Sequence, residues 1–267
     1  MIVRRLREGL GWRSKLWRRR LFLLFGFRHG HSLLRAFHRR EPVEQLTLWN
    51  GSVIVHPPGR TGLLETVLEV WCDRVYTRNF YTPRPNDVVV DAGANVGLFS
   101  IWLARRCPRA RVFALEPFAE NYATLEKNLA ATRCGNVKPL HLALGATTGT
   151  GTMVSTTDRS LDHQFERSDR PDPDGIPVMS LEDFFTRHGI ATIHFLKMDI
   201  EGSEYDVFSA VPDSILARID RLGIEYHDNL RPGTLALLER RLCPTHDVRA
   251  RSEYDREYGM LWAVRKR

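Results

Sequence analysis

Cysteine is scarce in this sequence. The four present in 267 residues, Cys72, Cys107, Cys134 and Cys243, stand far apart, with no C-x-x-C pair and no histidine at zinc-finger spacing. That argues against a disulfide framework and for reduced thiols in a cytosolic compartment. Long apolar runs are missing as well. The unbroken run of the N-terminal region, LFLLFGF at 21–27, has seven residues, about a third of the roughly 20 needed to cross a bilayer. RHGHSLLRAFHRR follows it, where a secretory signal would place small residues for cleavage. There is no internal repeat, no G-x-x-x-x-G-K-[ST] phosphate loop and no complete G-x-G-x-x-G turn, so neither a P-loop nucleotidase nor a standard dinucleotide site is expected.

Hydrophobic residues at 43% and charged residues at 27% are ordinary for a folded chain. The net charge of +7 is unevenly placed: residues 1–40 hold twelve Arg or Lys against the single acid Glu8, a balance of +11, so the rest sums to −4. Three regions are expected: a basic, aromatic-rich arm at 1–42, a hairpin and helix extension at 43–84, and the main domain at 85–267. Trp12, Leu16, Trp17, Leu21, Leu24, Phe27 and Phe37 interleaved with arginines suit an amphipathic segment on an anionic membrane surface, which would make the protein cytoplasmic and peripheral at the inner membrane face. The same residues also suit an arm packed on the body or on a second subunit. Nucleic acid is the least favoured partner.

QLTLWNGSVIVHPP reads as a short hairpin, and TGLLETVLEVWCDRVY has helical spacing. Beyond Pro83 and Pro85 strand-like and helix-like segments alternate. DVVVDAG precedes GLFSIWLARRC, ARVFALE precedes AENYATLEKNLAATR, and VKPLHLAL leads to a hairpin-like GTGTMVST. LEDFFTRH, IHFLKMD, SEYDVFSAV and IDRLGIEYH continue the alternation. Several strands are almost wholly apolar, as in a parallel sheet covered on both faces. HDVRARSEY and GMLWAVRK flank DREYG as a closing antiparallel hairpin. The predicted fold is doubly wound α/β. Residues 156–177 read as one long polar loop, of the kind that forms lids.

In such a sheet ligands bind beyond the carboxyl ends of the strands, at the point where strand order reverses. VVVDAGANVGLFS, 88–100, fits that place. Gly93 and Gly97 permit positive φ and close approach of a ligand to the backbone, and Asp91 at the strand tip can accept from an ammonium group or ordered water. Glu116 follows Gly97 by 19 residues, the place of an acid that binds both hydroxyls of an adenosine ribose. The backbone of Leu142 and Ala143 would meet the adenine edge, and Phe118 could cover the ring. The turn reads Gly93-Ala94-Asn95-Val96-Gly97, without the further glycines a pyrophosphate wants. An acid directly before it favours a ligand with an amino group and no phosphates, such as S-adenosylmethionine, over NAD.

VVVDAGANVGLFS, ALEPFAENYATLEKNL, VMSLEDFF, LKMDIEGSEYDVF and GIEYHDN, within about residues 65–230, together resemble the FkbM-like family of S-adenosylmethionine-dependent methyltransferases. The resemblance implies a seven-stranded methyltransferase sheet, mostly parallel, with an antiparallel last strand. It also implies methyl transfer to an oxygen of a sugar, glycan, glycolipid or secondary metabolite. By the same resemblance Asp91, Gly93, Asn95 and Gly97 serve the methionine end, Glu116 the ribose, and Asp199, Glu201 and Glu204 lie beside the reacting methyl. The arm and the long loop fall outside it.

Strand alternation puts Lys197 and Asp199 on one face, with Glu201 in the turn beyond, and GIEYHD brings Glu225, His227 and Asp228 to the neighbouring strand end. A hydroxyl acceptor needs a base; Asp199 and His227 are both candidates, and Lys197 could stabilise an oxyanion. Asp199, Glu201 and His227 would also suit Mg²⁺ or Mn²⁺, though no close-spaced ligand pair supports a metal. Base-amino methyltransferases usually carry an [ND]-P-P-[FYW] turn where this chain has MDIEGS, which disfavours nucleic acid as acceptor.

Overall fold

The structure, a computed structural model, describes all residues except Met1, Asn79, 156–162, 168–174, 254–256 and Arg267. Helices α1 (Ile2–Gly26) and α2 (Gly30–Arg39) lead into the two-stranded antiparallel pair β1 (Gln45–Thr47) and β2 (Val53–Val55). Helix α3 (Leu63–Val67) runs on into a π-helical turn, Leu68–Asp73. Then come β3 (Val88–Ala92), α4 (Leu98–Arg106), β4 (Arg111–Leu115), α5 (Ala119–Thr132) and β5 (Val137–Leu140). A smaller sheet follows, built from β6 (Ala143–Leu144), β7 (Gly149–Ser155), β8 (His163–Arg167) and β9 (Ile176–Met179). The chain ends through α6 (Leu181–Arg187), β10 (Phe195–Met198), α7 (Glu204–Ala210), α8 (Asp213–Leu216), β11 (Arg221–His227), α9 (Thr234–Leu242), β12 (His246–Glu253) and β13 (Tyr258–Arg265).

The main sheet has seven strands in the order β5-β4-β3-β10-β11-β13-β12. Strands β5, β4, β3, β10 and β11 are mutually parallel, and β13 enters antiparallel between β11 and β12. This is the doubly wound α/β fold with an antiparallel last strand that the sequence predicts. Period-two alternation divides its apolar side chains between two cores. Val89, Val112 and Phe195 face α4, α5 and the N-terminal segments, while Val90, Phe113 and Leu196 face α6, α7 and α9. Strand order reverses at β3, which lies between β4 and β10, so the tips of β3 and β10 open onto the crevice where ligands of such sheets bind.

Two expectations change. VKPLHLAL is not one strand: Leu142 N–H turns back to the Leu140 carbonyl, β5 ends as the sheet's edge, and Ala143–Leu144 pair with β9 in the smaller sheet. Pro139, which has no N–H to give, is tolerated in that edge strand. The 156–177 segment is not wholly a loop, because β8 pairs antiparallel with β7 and β9 begins at Ile176. Backbone pairing satisfies HQFER despite its polar composition; residues 156–162 and 168–174 lie outside the described residues.

The second half of the arm packs on the body. Leu23, Phe27 and Leu33 are buried in the same apolar cluster as Val89 and Val112, and Phe27 stacks on Trp71 at 6.0 Å. Lys15, Arg18 and Arg19 converge on the nearly buried carboxylate of Asp73, at 3.2, 2.7 and 2.5 Å. Arm, extension and main domain thus share one core. No described helix is long and apolar enough to cross a membrane.

Candidate active site

The turn after β3 is pinned on both sides. Gly93 and Ala94 donate their N–H groups to the Leu115 carbonyl at the tip of β4, and Asp199 N–H bonds the Ala92 carbonyl at the tip of β10. Gly93, Asn95 and Gly97 all have positive φ, 73°, 50° and 88°. The glycines answer to the protein first: a Cβ on Gly93 would stand 1.7 Å from the Asp199 carbonyl oxygen, and one on Gly97 would stand 2.5 Å from Leu125 Cδ1. Close approach is therefore required here by the chain's own atoms, backbone at Gly93 and a side chain at Gly97, before any ligand is considered.

Asp91 lies beneath this turn, fully buried. Its Oδ2 accepts from Ser100 Oγ at 2.7 Å, and its Oδ1 faces Lys197 Nζ at 3.3 Å. Lys197, also buried, donates to the carbonyl of Gly93 at 2.6 Å and reaches Asp199 Oδ2 at 3.8 Å. Burial opposes the ammonium charge, but Asp91 and Asp199 outweigh it and raise its pKa. Burial raises that of Asp91 in turn, against the pull of Lys197. Asp91, predicted to meet a ligand, thus serves here in an internal ion pair under the turn, while Lys197 bonds the turn's backbone and also reaches the cavity wall.

Asp199 and Glu201 lie above that pair, both partly exposed. Tyr76 Oη donates to Asp199 Oδ2 at 2.7 Å and lies 3.1 Å from Glu225 Oε2. Burial, with Asp199 and Glu225 beside it, holds the phenol far above its ordinary pKa, so Tyr76 remains a donor. Glu204 is fully buried and shapes the turn instead of facing the crevice: it accepts from Ile200 N–H at 3.0 Å and Gly202 N–H at 2.9 Å. These bonds hold Glu201 at φ 50° and Gly202 at φ 94°. His227 bridges the two acids, Nδ1 to Glu204 at 3.2 Å and Nε2 to Glu201 at 3.4 Å. Burial opposes its charge, yet Glu204 and Glu201 push its pKa up to about 10. The imidazole is therefore a cation at neutral pH, without the free lone pair a base needs. Asp199, Glu201 and His227 offer ligand atoms within 4.8 Å of one another, a set that could hold a divalent cation. Asp228 instead accepts from Leu235 N–H at 3.0 Å, near the start of α9.

On the other side of the turn, Glu116 Oε2 accepts from Asn95 N–H at 2.7 Å and Oε1 from Phe118 N–H at 3.0 Å. Sequence spacing thus did bring the acid of β4 onto the glycine turn. Burial raises its pKa to about 7 against those bonds. Phe118 caps α5 and is half-buried, while Leu142 and Ala143 are buried beyond β5.

Gly93, Ala94, Asn95, Val96, Lys197 and Asp199 line a cavity of about 420 Å³, its open mouth included. His56, Thr66, Val70 and Tyr76 of the extension complete the wall. The sequence reading missed these four. The helical spacing of TGLLETVLEVWCDRVY announces the segment but not that it folds over the tips of β3 and β10.

Acids crowd this site, and pH should show it. Burial, reinforced by Asp199, lifts Glu201 and Glu225 to about 8. Between their unfolded values near 4.5 and about 8 the folded state holds protons that the unfolded chain releases, so stability falls as pH rises through that window. His227, raised from 6.5 to about 10, adds a loss of the same sign between those values. Calorimetric Tm should fall from about pH 6 to about pH 9, and Glu201→Gln with Glu225→Gln should flatten the slope. A Tm that rises over this range would contradict the assignment.

Strand order and a crevice built from the tips of β3, β4 and β10 place the fold among the Rossmann-like class I methyltransferases. Residues 91–242 match the methyltransferase FkbM domain, and the chain belongs to that family. The 31-O-demethyl-FK506 methyltransferase FkbM of Streptomyces tacrolimicus is 29% identical over 218 residues, covering 70% of this chain and 82% of that protein. The AMB antimetabolite synthetase AmbE of Pseudomonas aeruginosa is 28% identical over 208 residues, covering 63% of this chain but only 10% of the far longer synthetase. Among solved structures, M. jannaschii TYW2 in complex with AdoMet aligns with a TM-score of 0.43 at 16% identity, over 83% of this chain and 86% of that one.

Proposed function

We propose that the protein transfers a methyl group from S-adenosylmethionine to a hydroxyl of a sugar, glycan, glycolipid or secondary metabolite. The observation that carries this reading is the meeting of the Gly93–Val96 backbone and Asp199 around one cavity, with Glu116 bonded to the Asn95 N–H of that same turn. The family and the name of the Streptomyces relative, which acts at a 31-O position, support the oxygen as acceptor. S-adenosylmethionine, when bound, supplies an electrophilic methyl on a sulfonium.

The chain's residues fit that ligand. Each oxygen of Glu116 keeps acceptor capacity beyond its backbone bonds, enough for ribose hydroxyls. The Gly93–Val96 backbone forms the wall beside it, and Asp91 with Lys197 fixes that backbone from below. Asp199 is the base. Tyr76 and Lys197 both engage its Oδ2, leaving Oδ1 without a hydrogen-bond donor among the described residues. Oδ1 would take the proton that the acceptor hydroxyl loses as its oxygen displaces the sulfur from the methyl group, the S–CH₃ bond breaking and S-adenosylhomocysteine leaving as a neutral thioether. His227, already charged, holds Glu201 and Glu204 and thereby the turn that carries Asp199.

Calorimetric titration with S-adenosylhomocysteine tests the ligand. The wild-type chain should bind it and not NAD, and Glu116→Ala should weaken binding at least about tenfold, as loss of a pair of hydrogen bonds does. Binding of NAD in its place would replace this reading with an oxidoreductase.

A further inference from the structure

Trp17, Leu21, Phe25 and Trp49 are the large apolar side chains left exposed among the described residues, at 61%, 51%, 67% and 65%. They form one patch. The first three recur at every fourth position of α1 and so share a face. Trp49, from the turn between β1 and β2, joins them by donating its indole N–H to the Phe25 carbonyl at 2.9 Å. The patch is held outward by what happens behind it: Lys15, Arg18 and Arg19 are tied to Asp73, and Leu23 and Phe27 are sunk in the core. The segment that carries it is rich in one sign of charge. From residue 9 to residue 40 the chain has nine Arg or Lys and no Asp or Glu. Arg20 lies 5.6 Å from the Trp17 ring, and Arg28 and Arg35 are exposed nearby in sequence.

We propose that this face of α1, with Trp49, docks on the surface of an anionic lipid bilayer. Two tryptophans and a phenylalanine in one exposed ridge suit the headgroup boundary, where an indole can bury its ring and keep its N–H bonded. The arginines suit a negatively charged leaflet, and the absence of acids removes the repulsion such a leaflet would exert. A protein partner of mixed charge finds no complementary acid here. The helix lies on the membrane and does not cross it, in keeping with its many arginines.

Flotation of the full-length chain with vesicles tests this. Vesicles of phosphatidylcholine with about one third phosphatidylglycerol should carry the protein, vesicles of phosphatidylcholine alone should carry several-fold less, and salt near 0.5 M should weaken the interaction. The triple variant Trp17→Ser, Phe25→Ser, Trp49→Ser should lose at least about tenfold in partitioning while its Tm and its S-adenosylhomocysteine affinity stay as in wild type. No flotation, or flotation equal in variant and wild type, overturns the proposal. So does a concentration-dependent dimer in light scattering that the same substitutions abolish, since the patch would then be a contact between two copies. Equal binding of the patch to RNA, removed by the same substitutions, would also overturn it.

Discussion

Asp199→Asn should lower kcat by about 10² to 10⁴, the range that a positioned base supplies, and leave affinity for S-adenosylhomocysteine within a few-fold of wild type. Asparagine keeps the shape and can still accept from Tyr76, which donates at 2.7 Å, but it cannot take a proton. The contrast with His227→Gln decides between the two candidates the sequence left open. His227 is bonded to Glu204 and Glu201 at 3.2 and 3.4 Å and is already charged, so glutamine should loosen the turn and cost less in kcat than Asp199→Asn. Tyr76→Phe should fall between, by removing the donor that orients Asp199. Single-turnover rates with labelled methyl donor would measure all three. If Asp199→Asn turns over normally and His227→Gln is inert, the roles are reversed.

The second large effect is expected at Gly93. Alanine there places a Cβ 1.7 Å from the Asp199 carbonyl oxygen, a backbone atom that cannot swing aside, at a φ of 73°. Overpacking of this kind costs about 1–3 kcal/mol and left-handed backbone adds about 1–2 kcal/mol for a residue with a side chain. Gly93→Ala should therefore lower Tm by several degrees and abolish measurable S-adenosylhomocysteine binding, because the turn and the tip of β10 must separate. Gly97→Ala is the informative control. Its φ of 88° brings similar backbone strain, but its clash, 2.5 Å from Leu125 Cδ1, is with the end of a flexible side chain. It should be the milder of the two in both thermal melting and calorimetry.

These sites show how far the sequence could be read. The alternation of apolar strands with amphipathic helices carries the order of elements, and the two core faces follow from it at Val89 and Val90 or Phe195 and Leu196. The spacing of Asp91, Gly93 and Glu116 carries their convergence, because a strand, a turn and a strand of fixed length leave little choice of position. What each side chain faces was not legible. Asp91 reads as a ligand contact and lies instead under the turn, paired with Lys197, since burial depends on the strands at either side. Tyr76 was invisible because its contacts with Asp199 and Glu225 span 123 and 149 residues of sequence. The charge state of His227 depends likewise on acids 23 and 26 residues away, brought there by the Glu204 turn.

The π-helical turn Leu68–Asp73 bears on how the protein should be handled at the bench. Its Trp71 donates to the Leu98 carbonyl and stacks on Phe27, its Val70 lines the cavity, and its Asp73 is the anchor for Lys15, Arg18 and Arg19. Trimming the basic N-terminus to ease purification would strip this turn of its counter-ions and bare the seat of Leu23 and Phe27. A shortened enzyme that proves sluggish would then say nothing about recruitment or substrate delivery, only that a wall of the pocket had lost its outer buttress. Point changes on the solvent side of α1 are the sound way to ask what that helix is for.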